Sequence, residues 1–175
     1  MRRVAGHDRR SMLHIHPIDH SDSGVARQIH ALLHMAHAQE AQQLRRHEQA
    51  GAARSAEDIR SSIAFYLGAF EGDTLVGAAS LAPDDEPGQI GIAMLCVAPA
   101  HQRRGIGRSL VVEALRRGET MAFSVSAAAD NAAALALYRG LGFVAYRRGT
   151  LGHDRLAMIK LRRDAMPAAI KEQPS

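Results

Sequence analysis

Two groups of residues in this chain have types and spacings suited to chemistry. The first is the run Val97-Ala98-Pro99-Ala100-His101-Gln102-Arg103-Arg104-Gly105-Ile106-Gly107-Arg108-Ser109-Leu110. An apolar segment ends at Pro99, the chain turns, and a helical pattern starts with two glycines among its first residues. Without side chains at Gly105 and Gly107, a ligand can approach the free N–H groups of the helix start. Those donors, the positive end of the helix dipole, and Arg103, Arg104 and Arg108 suit a phosphate or pyrophosphate. The dipole contributes only about 0.3–1 kcal/mol, so the N–H bonds and arginines must supply most of the binding. A Walker loop is excluded, because it needs Gly-Lys-Ser/Thr and no lysine precedes Lys160. A Rossmann fingerprint needs a third glycine where Leu110 stands.

The second group is His30, His34 and His37, whose spacing places them on one helical face beside Leu33. Imidazoles so arranged suit a metal, contact with a substrate, or plain solvent exposure. No carboxylate in register completes a metal set, so no metal is expected.

The elements that must position these groups follow from periodicity. A short strand is expected over Met12–Ile18, followed by capping residues and a helix, single or broken, from Val25 to about Gln49. After a hinge over Ala50–Ser55, a second helical piece places Ile59 and Ile63 on one face. Phe65–Phe70 and Thr74–Leu81 are strands joined by Glu71-Gly72-Asp73, a hairpin turn. Ile90–Val97 is a central strand, and Gly105–Arg117 is a helix with Ile106, Leu110, Ala114 and Leu115 facing inward. A strand over Met121–Val125, a helix over Asn131–Leu141, and strands over Phe143–Tyr146 and Arg155–Leu161 complete the order. These predict an α/β chain with a mixed sheet and helices on both faces. Residues 1–11 are expected to form a basic leader without fixed structure (Met12 being an alternative start), 12–163 a single domain, and 164–175 a flexible tail.

Composition narrows the function. With 175 residues, 46% hydrophobic and 23% charged, the chain can build one full core. No apolar stretch approaches the roughly 20 residues of a membrane helix, so no membrane partner is expected. The excess of 22 basic over 18 acidic residues suits an anionic ligand. It is small for a nucleic-acid binder, and only four Phe and three Tyr are available for stacking. The single cysteine, Cys96, cannot form an intramolecular disulfide, and a reducing cytoplasm fits.

Gln102-Arg103-Arg104-Gly105-Ile106-Gly107 resembles the Arg/Gln-x-x-Gly-x-Gly/Ala signature of the GNAT superfamily of acyl-CoA-dependent N-acyltransferases. Asn131, Ala134, Leu137-Tyr138 and Gly142-Phe143 resemble a second block of that superfamily, and the resemblance spans about Leu13 to Leu161. It implies a GNAT fold, with a mostly antiparallel mixed sheet of six or seven strands, and acetyl-CoA as acyl donor. It further implies that the main chain of Leu95, Cys96 and Val97 pairs with the pantetheine arm. Gln102, Arg103, Arg104, Gly105, Ile106, Gly107, Arg108 and Ser109 would cradle the pyrophosphate. Asn131 would lie near the cofactor arm and Tyr138 near the thioester sulfur. A homodimer through exposed strands is compatible with the resemblance.

The implied activity is transfer of an acetyl group to a primary amine, of a small molecule or a peptide, by direct attack in a ternary complex. A non-catalytic acyl-CoA-binding module is the alternative. Tyr138, with a free pKa near ~10 against ~8.5 for a thiol, would donate a hydrogen bond to the departing sulfur rather than hand over its proton early. Cys96 reads as a small buried hydrophobe rather than a nucleophile. No carboxylate stands in Gly91-Ile92-Ala93-Met94-Leu95, where many relatives keep a glutamate as base. Glu40, Glu71, Asp73 and the histidines are candidates, none singled out.

Overall fold

The computed structural model describes residues 12–43 and 54–165. The expected leader, the far end of the first helix, most of the hinge and most of the tail lie outside the described residues. Seven strands form one sheet: β1 (Leu13–Pro17), β2 (Phe65–Glu71), β3 (Thr74–Pro83), β4 (Gln89–Val97), β5 (Ala122–Ala128), β6 (Val144–Leu151) and β7 (Leu156–Arg163). Four α-helices accompany them among the described residues: α1 (Ser23–Gln43), α2 (Ala56–Arg60), α3 (Ile106–Arg117) and α4 (Ala132–Gly140). The spatial order is β1-β2-β3-β4-β5-β7-β6. Every neighbouring pair is antiparallel except β4 with β5, whose parallel pairing requires the crossover that α3 provides.

The two faces of the sheet bury separate cores. On one, Leu110, Val111 and Ala114 of α3 and Leu135 of α4 pack on Leu67, Phe123, Val125 and Leu161. On the other, Ala26, Ile29, Leu32 and Leu33 of α1 and Ile59 of α2 pack on Tyr66, Ala78, Met94 and Cys96. The inward row expected for α3 is buried in full, with Ile106, Leu110, Ala114 and Leu115 each at most 9% exposed. Ile63 departs from expectation. Helix α2 ends at Arg60, where Ser61 caps it, so Ile63 never joins the face of Ile59 and is 94% exposed. Strands β5 and β6 run longer than expected, because ladder pairing with β7 carries β5 on through the buried Ala127 and Ala128 and β6 through an exposed run to Leu151.

One polar cluster holds the sheet together across β5. Lys160 on β7 is buried yet donates Nζ to Asp84 Oδ1 at 2.9 Å and also to Asp85, both in the turn between β3 and β4. Arg147 on β6 adds an ion pair to Asp85 at 2.9 Å. The side chain of Asp84 is only 11% exposed, so its charge depends on Lys160 for compensation.

Lys160→Met is therefore expected to strand a buried carboxylate and cost about 3 kcal/mol, the low end for a broken buried pair. For a chain of this size that is a fall in Tm of roughly 5–10 °C, measured by calorimetry. A melting temperature within a degree of the parent would show that the cluster contributes nothing.

Candidate active site

The parallel pair is short. Gln89–Ile92 of β4 pairs with Ala122–Val125 of β5, and there the ladder stops, although β4 continues to Val97 and β5 to Ala128. From Ala93 onward β4 is held by β3 alone. Between Ser80 and Leu81 the register shifts, Ser80 facing Met94 and Leu81 facing Ile92, so Ala93 is an extra, bulged residue. A bulge bends its strand and increases the local twist, which carries β4 away from β5. The backbone groups of Ala93–Val97 on the β5 side are left without a strand partner, an edge on which an extended amide-bearing arm can pair. A cleft of about 420 Å³ occupies the gap. His30, His34, His37 and Glu40 of α1 line it from one face of the sheet, and Asn131, Ala134 and Tyr138 of α4 from the other.

At the end of β4 the chain makes a 3₁₀ turn over Pro99–His101 and enters α3. Arg103 (φ 62°) and Gly105 (φ 79°) both take left-handed backbone, a conformation that costs energy at a non-glycine residue and clusters at ligand-holding loops. The first bond of α3 joins Ser109 N–H to Gly105 O at 2.9 Å, so the N–H groups of Ile106, Gly107 and Arg108 have no partner within the helix. Nothing lies within 4 Å of the position a Cβ would take on Gly105. A Cβ on Gly107 would meet Val97, Leu95 and Leu137 at 3.7–3.9 Å, which places these amides beside the unpaired edge of β4. Ser109 contributes a half-buried hydroxyl one turn in. Ile106 can offer only its main chain, since its side chain is 3% exposed and sits in the core.

The loop's polar side chains divide into two sets. Arg103 and Arg108 are exposed and make no ion pair among the described residues. Arg104 is committed elsewhere: its Nη2 pairs with Glu71 Oε1 at 2.7 Å and its Nη1 bonds His101 Nδ1 at 3.0 Å. Gln102 donates Nε2 to Val97 O at 3.2 Å, tying the turn to the strand it leaves. Both residues belong to the run expected to cradle a diphosphate, and in this structure both side chains brace the loop. Glu71 is thus paired with Arg104, and neither it nor Asp73 is among the residues that line the cleft.

Within β4, Leu95 and Val97 face α3 and α4, while Cys96 points to the opposite core and is 4% exposed. Burial pushes the Cys96 thiol up to about 12, with a backbone hydrogen bond from Ala78 opposing only slightly. Tyr138 is 5% exposed, packs edge-on against Phe143 at 5.6 Å and reaches the cleft. Burial first, and the nearby Glu40 carboxylate second, hold its phenol well above the usual tyrosine range. Asn131 caps α4, its Oδ1 accepting from Ala134 N–H at 3.1 Å, and its Nδ2 donates to Glu40 Oε1 at 2.9 Å. His30 and His34 lie 6.3 Å apart between ring centroids. Among the described residues no group of three or more His, Cys, Asp or Glu is arranged to hold a metal ion. Sequence reasoning missed Arg54 and the Leu151, Leu156 and Met158 wall from the β6–β7 hairpin, none of which carries a local signal.

Residues 27–143 match the family model described as Acetyltransferase (GNAT) family. The N-alpha-acetyltransferase RimI of Mycobacterium tuberculosis is 41% identical over 80 residues, which span 45% of this chain and 51% of that protein. The chain spans about half or less of the length of the curated relatives it matches. Among solved structures, the ribosomal-protein-S18-alanine N-acetyltransferase from Escherichia coli superposes with a TM-score of 0.71 at 19% identity, covering 91% of this chain and 98% of that one. The acetyltransferase yncA from Salmonella typhimurium, solved with acetyl-CoA, gives 0.66 at 19% identity, covering 93% and 99%.

With its pKa near 12, Cys96 should be roughly one part in ten thousand thiolate at about pH 8. Alkylation by iodoacetamide at that pH should be at least about a hundredfold slower than for free cysteine, and should recover when the chain is unfolded in guanidinium. Fast labelling of the native protein would contradict the burial.

Proposed function

This chain belongs to the GNAT family of acetyltransferases, and on that premise we propose that it moves an acetyl group from acetyl-CoA to the α-amine of a peptide. The observation that carries the reading is the gap between β4 and β5, with the open amides of α3 at one end and Tyr138 inside it. The open edge of β4 and the N–H groups of Ile106, Gly107 and Arg108 fit the amide-bearing arm and the diphosphate of acetyl-CoA, with Arg103 and Arg108 as free cations beside them. Bound there, acetyl-CoA supplies a carbonyl activated by its thioester linkage and a thiol as leaving group.

The chain's own residues do the rest. The unpaired N–H groups of β4 are fixed dipoles available to a carbonyl oxygen that gains negative charge. Tyr138 holds its proton at Oη well into the alkaline range. Full proton transfer from it to a sulfur is therefore uphill by more than the about 2 kcal/mol that separates a free phenol from a thiol. A hydrogen bond donated to the leaving sulfur is the role this permits. Cys96 faces away from the cleft as an undissociated thiol, which supports direct attack by the amine rather than an acylated enzyme.

The choice of a peptide α-amine draws on the printed functions of RimI and of the S18-alanine enzyme. It also draws on chemistry. An α-amine has a pKa near ~7.7–8.0 against ~10.4 for lysine, so a site without a strong base deprotonates it at less cost.

Thiol release from acetyl-CoA, followed across a panel of amines, tests the activity, and release with none of them would favour a binding module. Gly107→Val should reduce acetyl-CoA affinity at least about tenfold by isothermal titration while leaving Tm within about 2 °C, since the Cβ itself meets only ordinary contacts. Tyr138→Phe should lower kcat about 10- to 100-fold and change KM for acetyl-CoA less than about twofold. Unchanged turnover would remove Tyr138 from the mechanism.

A further inference from the structure

The carboxylate that β4 lacks is present on the opposite wall. Glu40, near the end of α1, is half-buried in the cleft, and its Oε1 accepts from Asn131 Nδ2 at 2.9 Å across a separation of 91 residues. The orientation of Asn131 is fixed from behind. Its Oδ1 serves as the cap of α4, accepting from Ala134 N–H at 3.1 Å, so its amide nitrogen must point outward and donate. One oxygen of Glu40 is thereby held in place, and among the described residues no group takes the other. Asn131, Ala134 and Tyr138 follow one another on one face of α4, all three lining the cleft. Glu40 thus stands beside the row that carries Tyr138, near enough for its charge to act on the phenol.

We propose that Glu40 is the catalytic base of this site, its free carboxylate oxygen taking the proton that an ammonium acceptor must lose before it can attack. The proposal rests on the acetyl-transfer reading above. An N–H bond of the ammonium breaks and an O–H bond forms at Glu40, which leaves the electron pair on nitrogen. The C–N bond then forms as the C–S bond of the thioester breaks. A second proton leaves the nitrogen as the amide forms, and one proton reaches the departing sulfur. The proton on Glu40 passes to solvent, so each turnover releases one. The other titratable groups facing the cleft are His30, His34 and His37 from α1, Arg54 ahead of α2, and Tyr138 from α4. The sheet adds mainly apolar side chains and Ser126. Among the described residues none of these histidines is hydrogen-bonded to α4 as Glu40 is, and His34 and His37 are exposed.

Glu40→Gln separates proton transfer from positioning, because a glutamine oxygen can still accept from Asn131 but cannot take the proton. The full chain is assayed with acetyl-CoA and three acceptors: tetra-alanine amide and n-butylamine, which arrive largely protonated, and hydroxylamine, which arrives neutral. For the protonated amines, kcat/KM near pH 7 should fall about 10²- to 10⁴-fold, and the loss should shrink as the pH rises towards the amine's own pKa, because the variant can use only amine that arrives deprotonated. For hydroxylamine the loss should stay under about tenfold, with acetyl-CoA affinity within about twofold. Equal losses for all three acceptors would reduce Glu40 to a cleft-shaping residue, and unchanged kcat/KM for the protonated amines would likewise overturn the assignment while leaving acetyl transfer standing. Turnover of hydroxylamine alone by the parent protein would remove the need for a base and overturn it too. A parent protein inert toward all three would defeat acetyl transfer to amines itself, and this proposal with it.

Discussion

The site depends on one interruption. In a sheet otherwise antiparallel throughout, β4 and β5 run parallel and stay hydrogen-bonded only from Gln89 to Ile92 on the β4 side. A parallel pair needs a crossover helix, and α3 supplies it, so its N-terminus necessarily lies just beyond the end of β4. The bulge at Ala93 then parts the strands on the side where that helix begins. Topology alone therefore brings an unpaired strand edge and unsatisfied helix amides to one place. An antiparallel neighbour in the position of β5 would have needed no helix there.

Parting two strands exposes backbone and costs sheet hydrogen bonds, so the remaining contacts must hold the opened edges in place. Across β5, the Lys160 cluster links the β3–β4 turn to β7 and β6. Across the gap itself, the bond between Glu40 and Asn131 joins the helical layers of the two faces. Along the loop, Gln102 is tied to Val97 and Arg104 to Glu71. Each of these is polar and each involves a partner far away in sequence or on another element. Apolar packing fills the two cores, but directional bonds set the width of the opening.

What was legible in the sequence was local. Glycines 105 and 107 mark a helix start that can receive an anion, because their effect is exerted on their own backbone. The inward row of α3 and the hairpin at Gly72 were readable for the same reason. The partners of charged side chains were not. Arg104 reads as an anion ligand beside the glycines, yet its nearest carboxylate is Glu71, at the far side of a hairpin whose position only the assembled sheet fixes. Glu40 stood among several candidates because nothing near it in the chain announces Asn131. Ile63 failed as a core residue because the cap at Ser61 stops α2 one turn too early for its periodicity to matter. Strand β6 outruns its sequence signal because ladder pairing with β7, rather than side-chain burial, keeps its exposed backbone extended.

The cleft is walled by α1 on one face of the sheet and by α4 on the other. Its two walls are separate pieces of the chain, each packed on its own core. A substitution that reshapes one wall can leave the packing behind the other untouched, so the two sides of the opening are free to diversify independently.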